Sequence, residues 1–451
     1  MLFTTGPFFL FFAAFFLLYW FVFNKSIRWQ NLLLLAGSYF FYAWGDGRFL
    51  VLLAGSSVLT YLLGILMGRA GVKSIAGTVL LCVGLAQGLG FLLYFKYFTS
   101  FLPLGLSFYT FKMMSYLLDI RKGKIQPTRD WVVFFSYLAF FPCLVAGPID
   151  QPGALIPQLE KKRVFNYGQA SDGMRQILWG LFKKVVIADN CGVWSGQIFG
   201  HYRELPGSAL WYGAFLNAIW LYADFSGYSD MAIGYSRLIG FNVTRNFNFP
   251  FFARNIADFW RRWHISLTNW MTEYVFTPLA IYFRNYGKAG IVLAIFINFI
   301  LLGMWHGPHR TFLYFGILHG CYFIPLVLRG TLNKKGRGNG FARMGTFVLV
   351  MLTFVIFRSE SMHAAVGYYH RLFTTSVVAR FYIEDPVFTS IVLACIVLLF
   401  AAEWLQRDKQ HALQIDGVKW FPVRVLIYAC LILLVLTYGP IKNADFIYIK
   451  F

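Results

Sequence analysis

Charge is scarce in this chain. Asp, Glu, Lys and Arg make up 13% of its 451 residues, about half of the roughly 25% found in a soluble domain. Acidic residues are the scarcer sign, 19 against 40 basic ones. No polar stretch is long enough to fold as a soluble unit. Length alone would accommodate about three soluble domains, but residues 1–451 are expected to form a single membrane-embedded domain. Cysteine is sparse too: Cys82, Cys143, Cys191, Cys321, Cys395 and Cys430 stand singly, mostly in apolar runs. That spacing excludes a CxxC metal or redox centre and makes them packing residues. HExxH and HxxxH spacings are missing, so no metal site is expected. A clear internal repeat is missing as well, which argues against an inverted-repeat transporter.

What fills the chain is apolar: 58% hydrophobic and 20% aromatic residues. A membrane span needs about 20 mostly apolar residues. Runs at 6–23, 49–68, 75–95, 290–306, 311–328, 387–405 and 421–439 meet that requirement. Runs at 31–44, 101–118, 131–147, 174–189, 208–222, 228–241 and 345–358 are shorter or interrupted, and suit tilted, re-entrant or interfacial helices. About eleven crossings plus in-plane helices are expected. The N-terminal stretch lacks the basic start and cleavage site of a signal peptide. Lys25 and Arg28 follow its apolar run, which orients the first span with its N-terminus outside and residues 24–30 in the cytoplasm. The net charge of +21 raises the possibility of nucleic acid. Yet the basic residues fall in short linkers, at 121–129, 160–163, 284–288 and 329–343, as cytoplasmic loops and lipid headgroup contacts require. No nucleic-acid partner is expected.

Interruptions at membrane depth survive only where the backbone is buried in protein or lines a wet cavity. "FFPCLVAGPIDQPG" and "GMWHGPHRTFLYFGILHG" are two such places, the second broken at Gly307-Pro308 directly after His306. A third concentration of polarity is "DFWRRWHISLTNW", residues 258–270. Drawn as one helix, it gathers Arg254, Arg261, Arg262, Asn269 and Glu273 within about 60° of Asp258. Trp260, Trp263, His264, Leu267 and Trp270 occupy the other side. Asp258 reaches Arg262 at i+4 with the acid N-terminal, the favourable order.

The residues alone leave two readings of His264 open: a hydrogen-bonded residue of an in-plane anchor helix, or half of a site. His306, at the end of the nearly uncharged run "IVLAIFINFILLGMWH", favours the second, because ionisable groups at depth are costly and mark pathways or sites. A histidine near its ordinary pKa of about 6.5 can take a proton from a hydroxyl. His319 is a third candidate, with core packing as its alternative, while His309 beside Arg310 is expected to be solvated. In "DFSGYSD" (224–230) nothing selects Ser226 or Ser229 as a nucleophile, and the segment is expected to be a short loop whose polar groups serve turns and caps.

"LPLGLSFYTFKMMSYLLDI", "FFPCLVAGPI", "DFSGYSDMAIGYSRLIGFNVTRNFNFPFFARNIADFWRRWHISLTNW", "GMWHG" and the closing "FIYIKF" follow one another in an order that resembles the bacterial membrane-bound O-acyltransferase (MBOAT) family. The alginate O-acetyltransferase membrane subunits are the most similar branch, and the teichoic acid D-alanyltransferases come second. The resemblance implies an all-α polytopic membrane protein, a ring of about eleven tilted transmembrane helices plus in-plane helices around a central tunnel. It implies His306 and His264 as the catalytic residues, with Asp258, Arg261, Arg262, Trp263, Trp305 and His319 binding donor or lining the tunnel. It further implies no bound cofactor and a cytoplasmic thioester donor, acetyl-CoA or an acyl-carrier thioester. The implied partners are membrane lipids, a polysaccharide acceptor and a periplasmic or membrane-anchored esterase-like acyltransferase, and the implied location is the bacterial cytoplasmic (inner) membrane. The expected function is O-acylation, by acetyl, of an exported or cell-surface polysaccharide. D-alanyl transfer toward teichoic acid and non-catalytic lipid or glycan transport are the alternatives. Cys143 and "TPLAIYFRNYGK" depart from the alginate branch and leave the acceptor open.

Overall fold

The computed structural model describes residues 1–99, 101–332, 339–381 and 385–439. The closing "FIYIKF" lies outside the described residues. Regular structure among them is helical, with no strand. Seven segments are long and apolar enough to cross a membrane: Ile27–Ala70, Ile75–Tyr97, Arg284–His306, Arg310–Leu328, Gly340–Arg358, Pro386–Leu405 and Phe421–Tyr438. Their outer faces carry large apolar side chains open to the surroundings, such as Ile75 at 86% exposure, Val51 at 78% and Leu436 at 77%. Contiguous apolar surface on this scale is stable only against lipid. The chain is therefore a multi-pass membrane protein.

Several expected boundaries change. The runs at 31–44 and 345–358, short in the sequence, sit in full-length helices, Ile27–Asp46 and Gly340–Arg358. The runs at 208–222 and 228–241 are one 32-residue helix, Gly207–Leu238, so "DFSGYSD" is helical and not a loop. Cys82, Cys321 and Cys430 are exposed, leaving only Cys143, Cys191 and Cys395 as buried packing residues.

The chain divides into two compact units. The first holds Met1–Ile177 and Tyr228–Arg245. Its centre is the helix Leu106–Arg121, buried on almost every side. Small residues let neighbouring helices approach it: a Cβ on Gly64 would stand 2.7 Å from the Tyr116 ring, and one on Gly84 would collide with Leu117. Within this unit Asp150 accepts from the backbone N–H and the hydroxyl of Thr244, at 2.8 and 2.6 Å.

The second unit holds Leu178–Gly227 and Asn246–Phe451. Its frame is the helical hairpin Gly287–His306 and Arg310–Leu328. The first arm stops at His306 because Pro308 disfavours helical backbone in the residue before it. The arms meet through glycines, since a Cβ on Gly303 would strike the Phe312 carbonyl and one on Gly316 the Phe299 carbonyl. This contact holds His306 beside the second arm.

Candidate active site

The segment expected as one helix over 258–270 is two short helices, Ile256–Trp260 and Ile265–Met271. The break has a long-range cause. Asn248 N–H donates to the Arg262 carbonyl at 2.9 Å, and Ile265 N–H donates to the Asn246 carbonyl at 2.8 Å. These bonds draw residues 262–265 out of the helical ladder and leave His264 left-handed, at φ 44°. Only one other described non-glycine residue, Phe249 in the same loop, has a positive φ. Such backbone is uncommon for a residue with a side chain and persists where surrounding contacts impose it.

The imidazole of His264 is fixed in direction and in tautomer. Its Nδ1 lies 3.1 Å from Asn246 Oδ1, which also accepts from the Ser266 N–H at 3.3 Å and the Ser266 hydroxyl at 3.0 Å. A backbone N–H can only donate, so the Asn246 atom is the amide oxygen and His264 Nδ1 carries the proton. The ring's acceptor nitrogen is therefore Nε2. Burial pushes the His264 imidazole down to about 3, which keeps it neutral at physiological pH.

His306 closes the helix Gly287–His306 and is buried. It shares with His264 a cavity of about 30 Å3, whose other walls include Phe225, Trp260, Trp263, Phe315 and Phe357. At ~10–15 Å3 of such volume per molecule, it has room for about two waters. Trp305 borders both histidines, its ring 6.2 Å from His264 and 4.8 Å from His306. Apart from Leu221 and Leu267 the remaining walls are aromatic: the Phe225 ring stands edge-on to His264 at 4.6 Å, and Phe357 to His306 at 5.0 Å.

The other expected site residues separate into groups. Trp263 lines the histidine cavity. Asp258 and Arg262 form the expected ion pair, at 3.0 Å. They line neither cavity described here, and bind the loop instead, through Arg254 N–H on Asp258 and the Asn248 carbonyl on Arg262. Arg261 borders a second cavity of about 220 Å3, which is largely apolar. His319 is fully buried and lines neither cavity; it packs behind two walls of the histidine cavity, Phe315 at 4.5 Å and Trp260, whose indole N–H donates to His319 Nδ1 at 3.2 Å. His309 is exposed, as expected.

Two features escape sequence reasoning. Asn246 gives no local signal beyond being an amide in an apolar turn, a group that must find partners once buried. The acids of "DFSGYSD" look like loop residues because their partners come from elsewhere. A π-helical turn, Phe182–Ala188, turns both Lys183 and Lys184 into the interior. Lys184 then pairs with Asp189 at 2.6 Å and Asp224 at 2.7 Å, and Lys183 donates to Ser226 at 2.8 Å. Ser226 accepts inside a helix and caps nothing.

A pair of buried histidines in a small, mostly aromatic cavity is compatible with proton transfer, and the chain's relatives show its family. Residues 128–332 match the family model for MBOAT, the membrane-bound O-acyltransferase family. A probable alginate O-acetylase of Pseudomonas putida is 36% identical over 397 residues, which cover 83% of this chain and 80% of the relative. The chain belongs to the MBOAT family. It is an O-acyltransferase of the membrane. Other MBOAT relatives are a peptidoglycan O-acetyltransferase of Helicobacter pylori, 32% identical over 392 residues (76% of this chain, 73% of the relative), and a teichoic acid D-alanyltransferase of Bacillus subtilis, 27% identical over 263 (56% and 65%). The branch order agrees with the order expected from the motifs. The region matched to the MBOAT family contains Asn246, Trp260, His264, His306 and His319.

Proposed function

We propose that the protein takes an acetyl group from a cytoplasmic thioester donor and delivers it across the bacterial inner membrane for O-acetylation of an exported or cell-surface polysaccharide. A periplasmic esterase-like partner completes the transfer to the polymer. The observation that carries the reading is that one small cavity is lined by both His264 and His306, together with the fixed tautomer of His264. Relatives named for O-acetylation of alginate and peptidoglycan support acetyl and a glycan acceptor. The small cavity agrees with a small acyl group.

In this reading His306 removes the proton of an attacking hydroxyl as its oxygen forms a bond to the thioester carbonyl. The C–S bond breaks, the thiolate leaves, and the proton held by the imidazole is returned to it. His264 accepts through Nε2 and stabilises the imidazolium that His306 becomes, the role its tautomer permits. A positioned base of this kind contributes roughly 10²–10⁴-fold. Arg261, at the border of the larger cavity, attracts the donor's phosphates as a charge-assisted hydrogen-bond donor. The test is a donor panel, acetyl-CoA, acetyl-carrier protein and D-alanyl-carrier protein, offered to the reconstituted protein and to His306→Ala. Acetyl transfer lost in the variant supports the proposal. A preference for the D-alanyl donor would overturn the acetyl assignment in favour of the branch of the Bacillus subtilis relative, and full transfer by the variant would overturn the role of His306.

A further inference from the structure

Two cavities of the second unit differ sevenfold in size and share one residue. The cavity of His264 and His306 measures about 30 Å3, and the apolar one bordered by Arg261 and Asn298 measures about 220 Å3. Trp260 lines both. It is the last residue of the helix Ile256–Trp260, and its indole packs edge-on against His319 at 5.0 Å and against Phe299 at 5.1 Å.

His319 has a reason to be histidine only in relation to that indole. Its Nδ1 accepts the Trp260 N–H, an indole being a donor only, so the ring's proton is on Nε2. Nε2 meets no hydrogen-bond partner among the described residues. The surroundings are aromatic, with Phe315 at 4.5 Å and Tyr322 at 5.6 Å. A buried polar nitrogen in such a place is costly, and a phenylalanine would fill the space without that cost. What phenylalanine lacks is the acceptor that fixes the indole's rotation.

We propose that Trp260, held by His319, is a partition that limits the length of the acyl group transferred at the histidine pair. With the indole fixed, the small cavity, about 30 Å3, matches a two-carbon acyl group. A longer saturated chain needs the apolar space on the far side of the indole. This inference rests on the acyl transfer proposed above. His319 acts as a positioning residue, through Trp260.

The test compares kcat/KM for acetyl, butyryl and hexanoyl thioesters in the full-length reconstituted protein, in Trp260→Ala, His319→Leu and His319→Asn. Asparagine can offer an oxygen near the place of Nδ1, whereas leucine cannot. Trp260→Ala is expected to raise the hexanoyl-to-acetyl ratio at least tenfold, His319→Leu to raise it severalfold, and His319→Asn to leave it near wild type. An unchanged ratio in a Trp260→Ala protein that still transfers acetyl overturns the partition. Should that variant fail to fold, an unchanged ratio in His319→Leu does so. A shift in Trp260→Ala with none in His319→Leu overturns the positioning role of His319. A wild-type protein that transfers no acyl group at all defeats the proposed function and the partition with it, a result distinct from unaltered selectivity in an active enzyme.

Discussion

Asn246 lies outside both histidine motifs, yet its oxygen decides which nitrogen of His264 can accept a proton. Replacing it by leucine leaves the Nδ1–H of His264 and the N–H of Ser266 without the acceptor they share. A buried donor left unsatisfied costs about 1–3 kcal/mol. For His264 that cost falls on one tautomer only, the one with Nε2 as acceptor. At about 1.4 kcal/mol per factor of ten, the population of that tautomer drops by about 5- to 150-fold, and kcat is expected to fall with it while KM changes little. Asn246→Asp keeps an acceptor but adds a negative charge. A carboxylate beside Nδ1 favours the imidazolium and raises the His264 pKa from its depressed value of about 3. Activity that needs a neutral His264 is lost as pH falls through that pKa, so the acid limb of the rate profile moves to higher pH in the aspartate variant. Initial rates of acyl transfer between pH 4 and 9, normalised to folded protein, measure both effects. A leucine variant with wild-type kcat and an aspartate variant with a wild-type acid limb would refute the tautomer argument.

Other outcomes follow from the same contacts. His264→Gly and His264→Ala both remove the imidazole, but left-handed backbone costs alanine roughly 1–2 kcal/mol that glycine escapes, so the glycine variant should be the more stable by about 1 kcal/mol in thermal unfolding. Equal stabilities would show that residue 264 relaxes out of its left-handed conformation. Lys184→Met removes the cation that the buried Asp189 and Asp224 share and is expected to destabilise by roughly 3–5 kcal/mol. Burial holds the Asp189 carboxyl at about 7 even beside Lys184, so the loss should shrink as pH falls below that value and the acid takes a proton; denaturant unfolding at pH 6 and pH 8 checks it. Gly316→Ala forces a methyl group against the Phe299 carbonyl in the hairpin that places His306, and overpacking of this kind typically costs 1–3 kcal/mol. It should lower both the melting temperature and kcat, whereas His309→Ala, exposed beyond the helix break, should change neither.

The sequence carried the apolar spans, the helix end at His306 and the inward placement of His264, which lines one cavity with it, because each depends on local pattern: apolar run length, a Gly-Pro break, a histidine among aromatic residues. The Asp258–Arg262 pair was legible for the same reason, being an i,i+4 contact. What escaped depends on partners far along the chain. The helix over 258–270 breaks because Asn246 and Asn248 bond to it from outside, and no periodicity within the segment records them. "DFSGYSD" continues a helix because Lys183 and Lys184, some forty residues earlier, satisfy Ser226 and Asp224. His319 looked like a third member of the histidine cluster. Its position behind Trp260 depends on the pairing of two helices that neither motif encodes.

Vectorial transfer is the central claim, and sidedness measures it most directly. Protein reconstituted in sealed vesicles, with labelled acetyl-CoA inside and a hydroxyl acceptor outside, is expected to produce labelled ester outside in the wild type and none above background in His306→Ala, with vesicle integrity and protein folding unchanged. Labelled ester formed outside at the wild-type rate by the alanine variant, or label crossing as intact donor in both, would contradict it.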